Sequence, residues 1–418
     1  MIQTIKNAWK IPDLRKKILF TLLMLMIFRL GSFIAVPYIN LEALAGYIEG
    51  NSVLGLLNII SGDNFKNFSI FAMSITPYIN ASIIMNLLTI AIPALERLSK
   101  QGEEGRKKIA QYTRYFAIVL SVIQALGTTL AMDSILTENS AYVVILVTTV
   151  ITAGTAFLLW IGESITEKGI GNGVSLIIFI GITSRVPDAI ISVVTGLQAG
   201  NFPVYMIPVI IIFVLASIIC VVAVQEGVRK VPVQYAKRVV GRKVYGGRNT
   251  HLPLKVNQSG VIPIIFASVL TMFPATIASF FPNVGWLKAV AEFMKWGNLF
   301  PTILYLLLVV AFSFFYTMIT FNPVEVAENM QQYGGFIPGI RPGKPTVMYL
   351  QKSLNKLTMS GGLFLAVIAV LPIIVGNFSG LNLQFGGTSL LIVVGVALET
   401  VKQIEQQMLM RNYKGFLK

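Results

Sequence analysis

The chain has one cysteine, Cys220, and one histidine, His251, among 418 residues. An intrachain disulfide is therefore excluded, and no His-Glu-x-x-His zinc motif exists. No Gly-x-x-x-x-Gly-Lys-(Ser/Thr) phosphate loop occurs, so any ATP-driven process needs its motor on another chain. Asp13, Asp63, Asp133 and Asp188 lie outside or at the ends of apolar runs, which leaves no intramembrane aspartate pair for proteolysis. No metal, cofactor or enzymatic activity is expected. Charge itself is scarce: 12% of residues are charged, against about 25% in a soluble domain.

Apolar residues fill the space left by charge, at 55% of the chain and a mean hydropathy of +0.74. This is the composition of a polytopic membrane protein. Crossing a ~30 Å hydrocarbon core takes roughly 20 apolar residues. Such runs are read at 18–36, 72–94, 115–131, 141–161, 173–184, 203–224, 261–281, 302–321, 362–376 and 387–401, which makes ten spans, five in each half. The fifth and tenth are short and suit a cavity wall. The N-terminal run is long, carries Arg29 and lacks a small-x-small cleavage site, so it is read as an uncleaved first span. Cys220 is read as a small apolar residue within the sixth span.

With a cytoplasmic N-terminus, 28 of the 33 lysines and arginines fall on the cytoplasmic side, and only Lys66, Arg185, Lys288 and Lys295 fall in outer loops. The positive-inside bias thus places both termini in the cytoplasm.

Two patterns recur in order. Pro77 to Ser82 and Pro263 to Ser268 both read Pro-x-Ile-x-Ala-Ser, while Gly173 to Ile178 and Gly387 to Ile392 both read Gly-x-Ser-Leu-(Ile/Leu)-Ile. Two related halves, 1–200 and 201–418, follow; an odd number of spans in each makes the repeats inverted. Solute transporters place polar ligands at midplane breaks, whereas the breaks here present isoleucine. A narrow apolar collar binds poorly but seals well, because hydrophobic constrictions exclude water by dewetting. Such a collar suits a large, chemically varied cargo such as a polypeptide. A secondary transporter of a small solute with inverted repeats is the alternative. Gly169-Ile170-Gly171-Asn172-Gly173 lacks the strand-to-helix setting of a nucleotide site and reads as a tight loop entering the fifth span.

Between the first two spans, 52–61 is an apolar run too short to cross, with Leu54, Leu57 and Ile60 near one helical face. It reads as a re-entrant short helix or an interfacial one. The loop 225–255 opens with Val231, Val233 and Tyr235 in alternation and continues to Lys237, Arg238, Arg242, Lys243 and Arg248. It reads as a basic-tipped hairpin, which the positive-inside bias alone can explain, although eight basic residues against one acid, Glu226, exceed what orientation requires and suit RNA phosphates or an acidic protein surface.

The chain resembles the SecY family along nearly its whole length. The resemblance rests on Phe28 to Phe33 (FRLGSF), Pro77 to Ser82, Gln111 to Tyr115, Gly169 to Gly173, His251 to Asn257, Phe273 to Ser279, Pro338 to Gly343 and Gly386 to Ile392. One departure stands at 34–38, where the family usually has Ile-Pro-x-Pro-Gly and this chain has Ile34-Ala35-Val36-Pro37-Tyr38. The resemblance implies an all-α bundle of ten transmembrane helices, in two inverted five-helix halves around a central pore, in the bacterial cytoplasmic membrane. It implies a protein-conducting channel that passes unfolded secretory polypeptides and releases membrane segments sideways into lipid. The implied pore ring is Ile75, Ile79, Val174, Ile178, Ile265 and Ile392; the plug is 52–61; the lateral gate includes Asn80, Asn86 and Phe273. The loops 225–255 and 322–358, the latter with Arg341, are implied to dock the ribosome or the SecA ATPase motor. SecE and SecG, signal-sequence-bearing polypeptides and membrane lipid complete the implied partners.

Overall fold

The computed structural model describes residues 6, 8–40, 43–44, 62, 64–131, 135–138, 140–198, 205–235, 238–240, 243–245, 249–280, 284–294, 298–379 and 387–415. In chain order the helices are α1 (Pro12–Gly31), α2 (Thr76–Ala91), α3 (Pro93–Ser99), α4 (Glu103–Ala131), α5 (Ala141–Lys168), α6 (Gly173–Thr183), α7 (Val186–Gln198) and α8 (Met206–Glu226). Beyond them lie α9 (Ile262–Phe280), α10 (Gly285–Phe293), α11 (Leu299–Thr320), α12 (Pro323–Gln332), α13 (Lys344–Ser379) and α14 (Gly387–Gly415). The strands are β1 (Val228–Tyr235), β2 (Arg238–Val240), β3 (Lys243–Tyr245), β4 (Asn249–Lys255) and β5 (Gly335–Phe336).

Among the described residues, six helices are long and apolar enough to cross a membrane, or seven when α2 and α3 count as one broken span bent by 103°. Pro93 makes that break, because it forces Ile92 out of the helical region to φ −106°, ψ 114°. The first, seventh and tenth expected spans coincide with α1, α9 and α14. Asp13, Arg15, Lys16, Lys17 and Arg29 dilute the apolar character of α1. The helix α9 runs 19 residues without a charged side chain and carries Pro274 inside it. The fifth span is longer than hydropathy suggested: α6 is followed closely by α7, and together they give an apolar span of Gly173–Ile191. Arg185 and Asp188 mask this continuation in the sequence, and the turn at Ser184 and Arg185 separates the two helices without ending the span.

The chain divides into two compact units. The first comprises Met1–Asn201, Val269–Pro301 and Val396–Lys418; the second comprises Phe202–Ser268 and Thr302–Gly395. In the first, α2 packs on α4, α4 on α5, α5 on α6, and α1 on both α5 and α6. With no hydrophobic drive between helices in lipid, such contacts depend on small residues and satisfied hydroxyls. Thr128, Thr129 and Thr155 accordingly return their hydroxyls to backbone carbonyls one turn earlier, at 2.7 to 3.1 Å. One core gathers Val36, Leu44, Phe65, Phe68, Ala72 and Met73 against Ala125, Ile135, Val143, Val147 and Ile151.

The second unit contains a three-stranded antiparallel sheet in the order β4-β1-β5. Its β1–β4 register runs from Val228↔Lys255 to Gln234↔Asn249. Val231 and Val233 point into an apolar core with Leu254, Ala327, Met330, Ile337, Leu350 and Leu354. Two loops far apart in sequence thereby form one platform with α12 and the start of α13.

Candidate functional site

The ring assignment begins at a knot of chain ahead of α2. Phe65, Phe68 and Phe71 are buried there, and Phe68 and Ser74 hold left-handed φ values of 39° and 50°. Such conformations cost about 1–2 kcal/mol per residue and persist only where packing over-determines them. Ile75 caps α2, and Ile79 donates its N–H to the Ile75 carbonyl at 3.0 Å, so the two stand one turn apart. Both are buried, as is Ile178 on α6. Val174, one turn before Ile178, is half-buried, as is Ile265 on α9, whereas Ile392 on α14 is buried.

The FRLGSF motif cradles this knot. Phe28 stacks on Phe71 at 5.9 Å between centroids, Phe71 on Phe157 at 6.2 Å, and Phe157 on Trp160 at 5.7 Å. Gly31 leaves the slot for Phe71: a Cβ there would lie 2.1 Å from the Phe71 ring. Gly154 does the same for the Ile70 carbonyl, at 1.8 Å. Arg29 donates through Nη1 to the Gly62 carbonyl at 3.3 Å and lies 5.1 Å from the Phe33 ring centroid. Satisfying a neighbouring carbonyl is the role that suits a cation inside an apolar span. Gly62 itself, at φ 69°, is so close to α6 that a Cβ would lie 2.5 Å from Gly181 Cα. Sequence reasoning singled out neither Gly62 nor Gly181, because nothing local to either marks a partner so distant.

The departure at 34–38 is also legible. Val36 donates its N–H to Phe68 O at 2.9 Å, and Ile70 donates to Ile34 O at 3.0 Å, so this segment pairs with the knot. Tyr38, where the family usually has glycine, sits at φ 65°. Tyr38→Gly should remove the Cβ penalty and stabilise the protein by about 1 kcal/mol. A higher detergent melting temperature checks this, and an unchanged or lower one contradicts it.

The glycine-rich loop is a tight entry to α6. Asn172 Oδ1 accepts from Ser175 N–H at 3.2 Å, Thr166 Oγ1 accepts from Gly173 N–H at 2.9 Å, and Thr21 Oγ1 accepts from Ile170 N–H at 3.0 Å. A Cβ on Gly173 would lie 1.9 Å from the Gly162 carbonyl oxygen, so only glycine lets α5 and α6 approach this closely. In the Gln111-to-Tyr115 motif, Gln111 donates to Tyr115 Oη at 3.0 Å, and Arg114 Nε pairs with Glu163 at 2.8 Å across α4 and α5.

Of the expected gate residues, Asn80 is buried and Asn86 half-buried on α2, about 240° apart around the helix axis. Phe273, beside Pro274 in α9, is exposed. The plug residues Leu54, Leu57 and Ile60 lie outside the described residues, as do Lys237, Arg242 and Arg248. Arg238 and Lys243 are placed by backbone alone, in the hairpin of β2 and β3. Arg341 is exposed in the turn between Gly339 and Gly343, whose φ values are 82° and 91°. Thr346 Oγ1 donates to the Arg341 carbonyl at 2.9 Å and fixes that turn on the first residues of α13.

Fold and motifs together define a many-span helical membrane protein with a glycine-packed first unit and a small antiparallel sheet in the second. The family model described as SecY matches residues 69–401. Protein translocase subunit SecY of Halalkalibacterium halodurans is 48% identical, and that of Bacillus subtilis 46% identical, each match covering 100% of both chains. A solved structure of a protein-conducting channel superposes with a TM-score of 0.70 at 18% identity, covering 94% of this chain and 92% of that one. Sec61 in the canine ribosome–channel complex from the endoplasmic reticulum gives 0.66 at 17% identity, with 94% and 92% covered. The chain belongs to the SecY family.

Proposed function

We infer that this protein is the channel subunit of a protein translocase, which conducts unfolded secretory polypeptides across a membrane and releases apolar segments into lipid. The observation that carries the reading is the 48% identity to a translocase subunit over 100% of both chains. The solute-transporter alternative loses its support, since the structural neighbours are protein-conducting channels.

The finer assignments are proposals built on that reading. The bacterial cytoplasmic membrane is the site of action, with both termini cytoplasmic, supported by the bias of lysine and arginine. The halves 1–200 and 201–418 are inverted copies, supported by the paired motifs. Ile75, Ile79, Val174, Ile178, Ile265 and Ile392 form the seal, Leu54, Leu57 and Ile60 belong to a plug, and Asn80, Asn86 and Phe273 belong to the sideways gate. SecE and SecG are partner subunits, SecA supplies ATP-driven motion, and the ribosome or SecA docks on the basic hairpin and Arg341. Catalysis is not part of this chain's role.

Vesicles containing the assembled complex test the reading. With the motor and ATP, a signal-bearing precursor should become protease-protected, and Arg341→Glu should lower the rate at least tenfold by opposing an acidic partner surface, a loss of about 1.4 kcal/mol. A short crosslink between cysteines at 80 and 273, in a Cys220→Ser background, should stop protection and membrane insertion alike. Solute uptake without a motor, with no precursor protection, would overturn the function. An unaltered Arg341→Glu rate would remove only the docking role, and full insertion by the crosslinked form would remove only the gate.

A further inference from the structure

The connection between α9 and α11 carries a short helix, α10, whose residues fall into three sectors around its axis. Leu287, Val290 and Met294 are half-buried. Trp286, Ala289 and Phe293 are exposed and follow one another at intervals of three and four, one stripe on a helix. Lys288 and Glu292, also four apart, occupy the remaining arc. A helix exposed on both sides to water has no use for the second stripe, and Trp286 is 69% and Phe293 57% exposed.

What covers that stripe is indicated by what it joins. Phe293 contacts Phe300 at 4.5 Å between ring centroids, and Leu299 and Phe300 begin α11 at 78% and 48% exposure. Along α11 the exposed side chains continue as Ile303 and Leu307, and the helix is apolar enough to cross a bilayer. The exposed apolar surface of a membrane span faces hydrocarbon. The α10 stripe is therefore continuous, through the Phe293–Phe300 contact, with a lipid-facing surface. Trp and Phe at the end of a span are also the residue types that anchor at the headgroup level.

We propose that α10 is an interfacial helix that seats Trp286, Ala289 and Phe293 in the headgroup–acyl boundary of the bilayer, with Glu292 facing water. The occupant is the lipid interface itself, not a partner protein. Its opposite charges balance, so binding relies on apolar area and not on anionic headgroups. In the orientation inferred above this is the outer leaflet. The helix then ties the connection from α9 to α11 to a fixed depth.

The test leaves Trp286 as the sole tryptophan of the full chain, with Trp9, Trp160 and Trp296 changed to Phe, in phosphatidylcholine vesicles. Lipids brominated near the headgroup should quench its fluorescence by about twofold or more, and lipids brominated near the chain terminus should quench it much less. Emission typical of water without quenching would overturn the proposal. Blue-shifted emission that neither lipid quenches would also overturn it, because a protein surface then covers the stripe. Ala289→Cys in a Cys220→Ser background, carrying a nitroxide, gives a second reading that keeps all tryptophans. Relaxation by oxygen should exceed relaxation by a water-soluble nickel chelate, and the reverse order would refute the placement. Neither measurement requires translocation, so failure here is separable from failure of the channel function.

Discussion

Ile79→Asn opens the resting channel to small ions and admits precursors with defective signal sequences. Ile79 is 4% exposed, one turn after Ile75, at the start of the helix that follows the aromatic knot. A closed apolar constriction stays dry because no side chain there binds water. Asn places an amide in that position, and burying it without partners costs about 1–3 kcal/mol. Hydration removes this cost only when the constriction parts, so the equilibrium moves toward the open form by on the order of 10- to 100-fold. Ile392→Asn, at the last position of the second Gly-x-Ser-Leu-(Ile/Leu)-Ile motif, should act in the same direction. Planar-bilayer conductance and translocation of a signal-defective precursor measure both effects. Unchanged conductance in both variants, with intact complexes, ends the ring assignment; Ile79→Leu should stay closed.

Gly31→Val has the largest expected effect on the fold. A Cβ at 31 falls 2.1 Å from the Phe71 ring, and moving that ring would disturb its stacking on both Phe28 and Phe157. Overpacking of this kind costs about 1–3 kcal/mol or more. The strained turn at Phe68 and Ser74 depends on the same packing, so its left-handed residues lose what holds them. The variant should melt at a lower temperature in detergent and leak ions in membranes. Phe71→Leu combined with Gly31→Val should recover part of the loss, as expected for two residues that share one space. Full stability of Gly31→Val, or no recovery in the double variant, contradicts the cradle.

The cradle also explains why the FRLGSF motif reads as a block without revealing its purpose. Arg29, Gly31 and Phe28 serve Gly62 and Phe71, residues more than thirty positions away. In the sequence Arg29 is only an isolated charge in an apolar run. The same holds for Gly173, whose place against Gly162 makes it irreplaceable by a larger residue. The alternation at Val231 and Val233, by contrast, announces a strand directly, and β1 lies there with both side chains inward. Its neighbour β5 and the packing of α12 were not legible, since β5 is two residues long and carries no period.

Sequence alone determined that this is a many-span membrane protein, because lipid demands long apolar runs and those are local properties of the chain. It determined the glycine-rich entry to the fifth span, because glycine acts on its own backbone; the break at Pro93 emerged only in the structure, since the apolar run carries the second span straight through to 94. The role of each isoleucine came through resemblance, since one aliphatic residue in an apolar helix carries no mark of its own. Tertiary structure decided where the fifth span continues, which glycines leave slots and for what, and what the charge in the first span holds. Those depend on surfaces brought together from distant parts of the chain, and close packing makes each contact specific at the scale of a single methyl group.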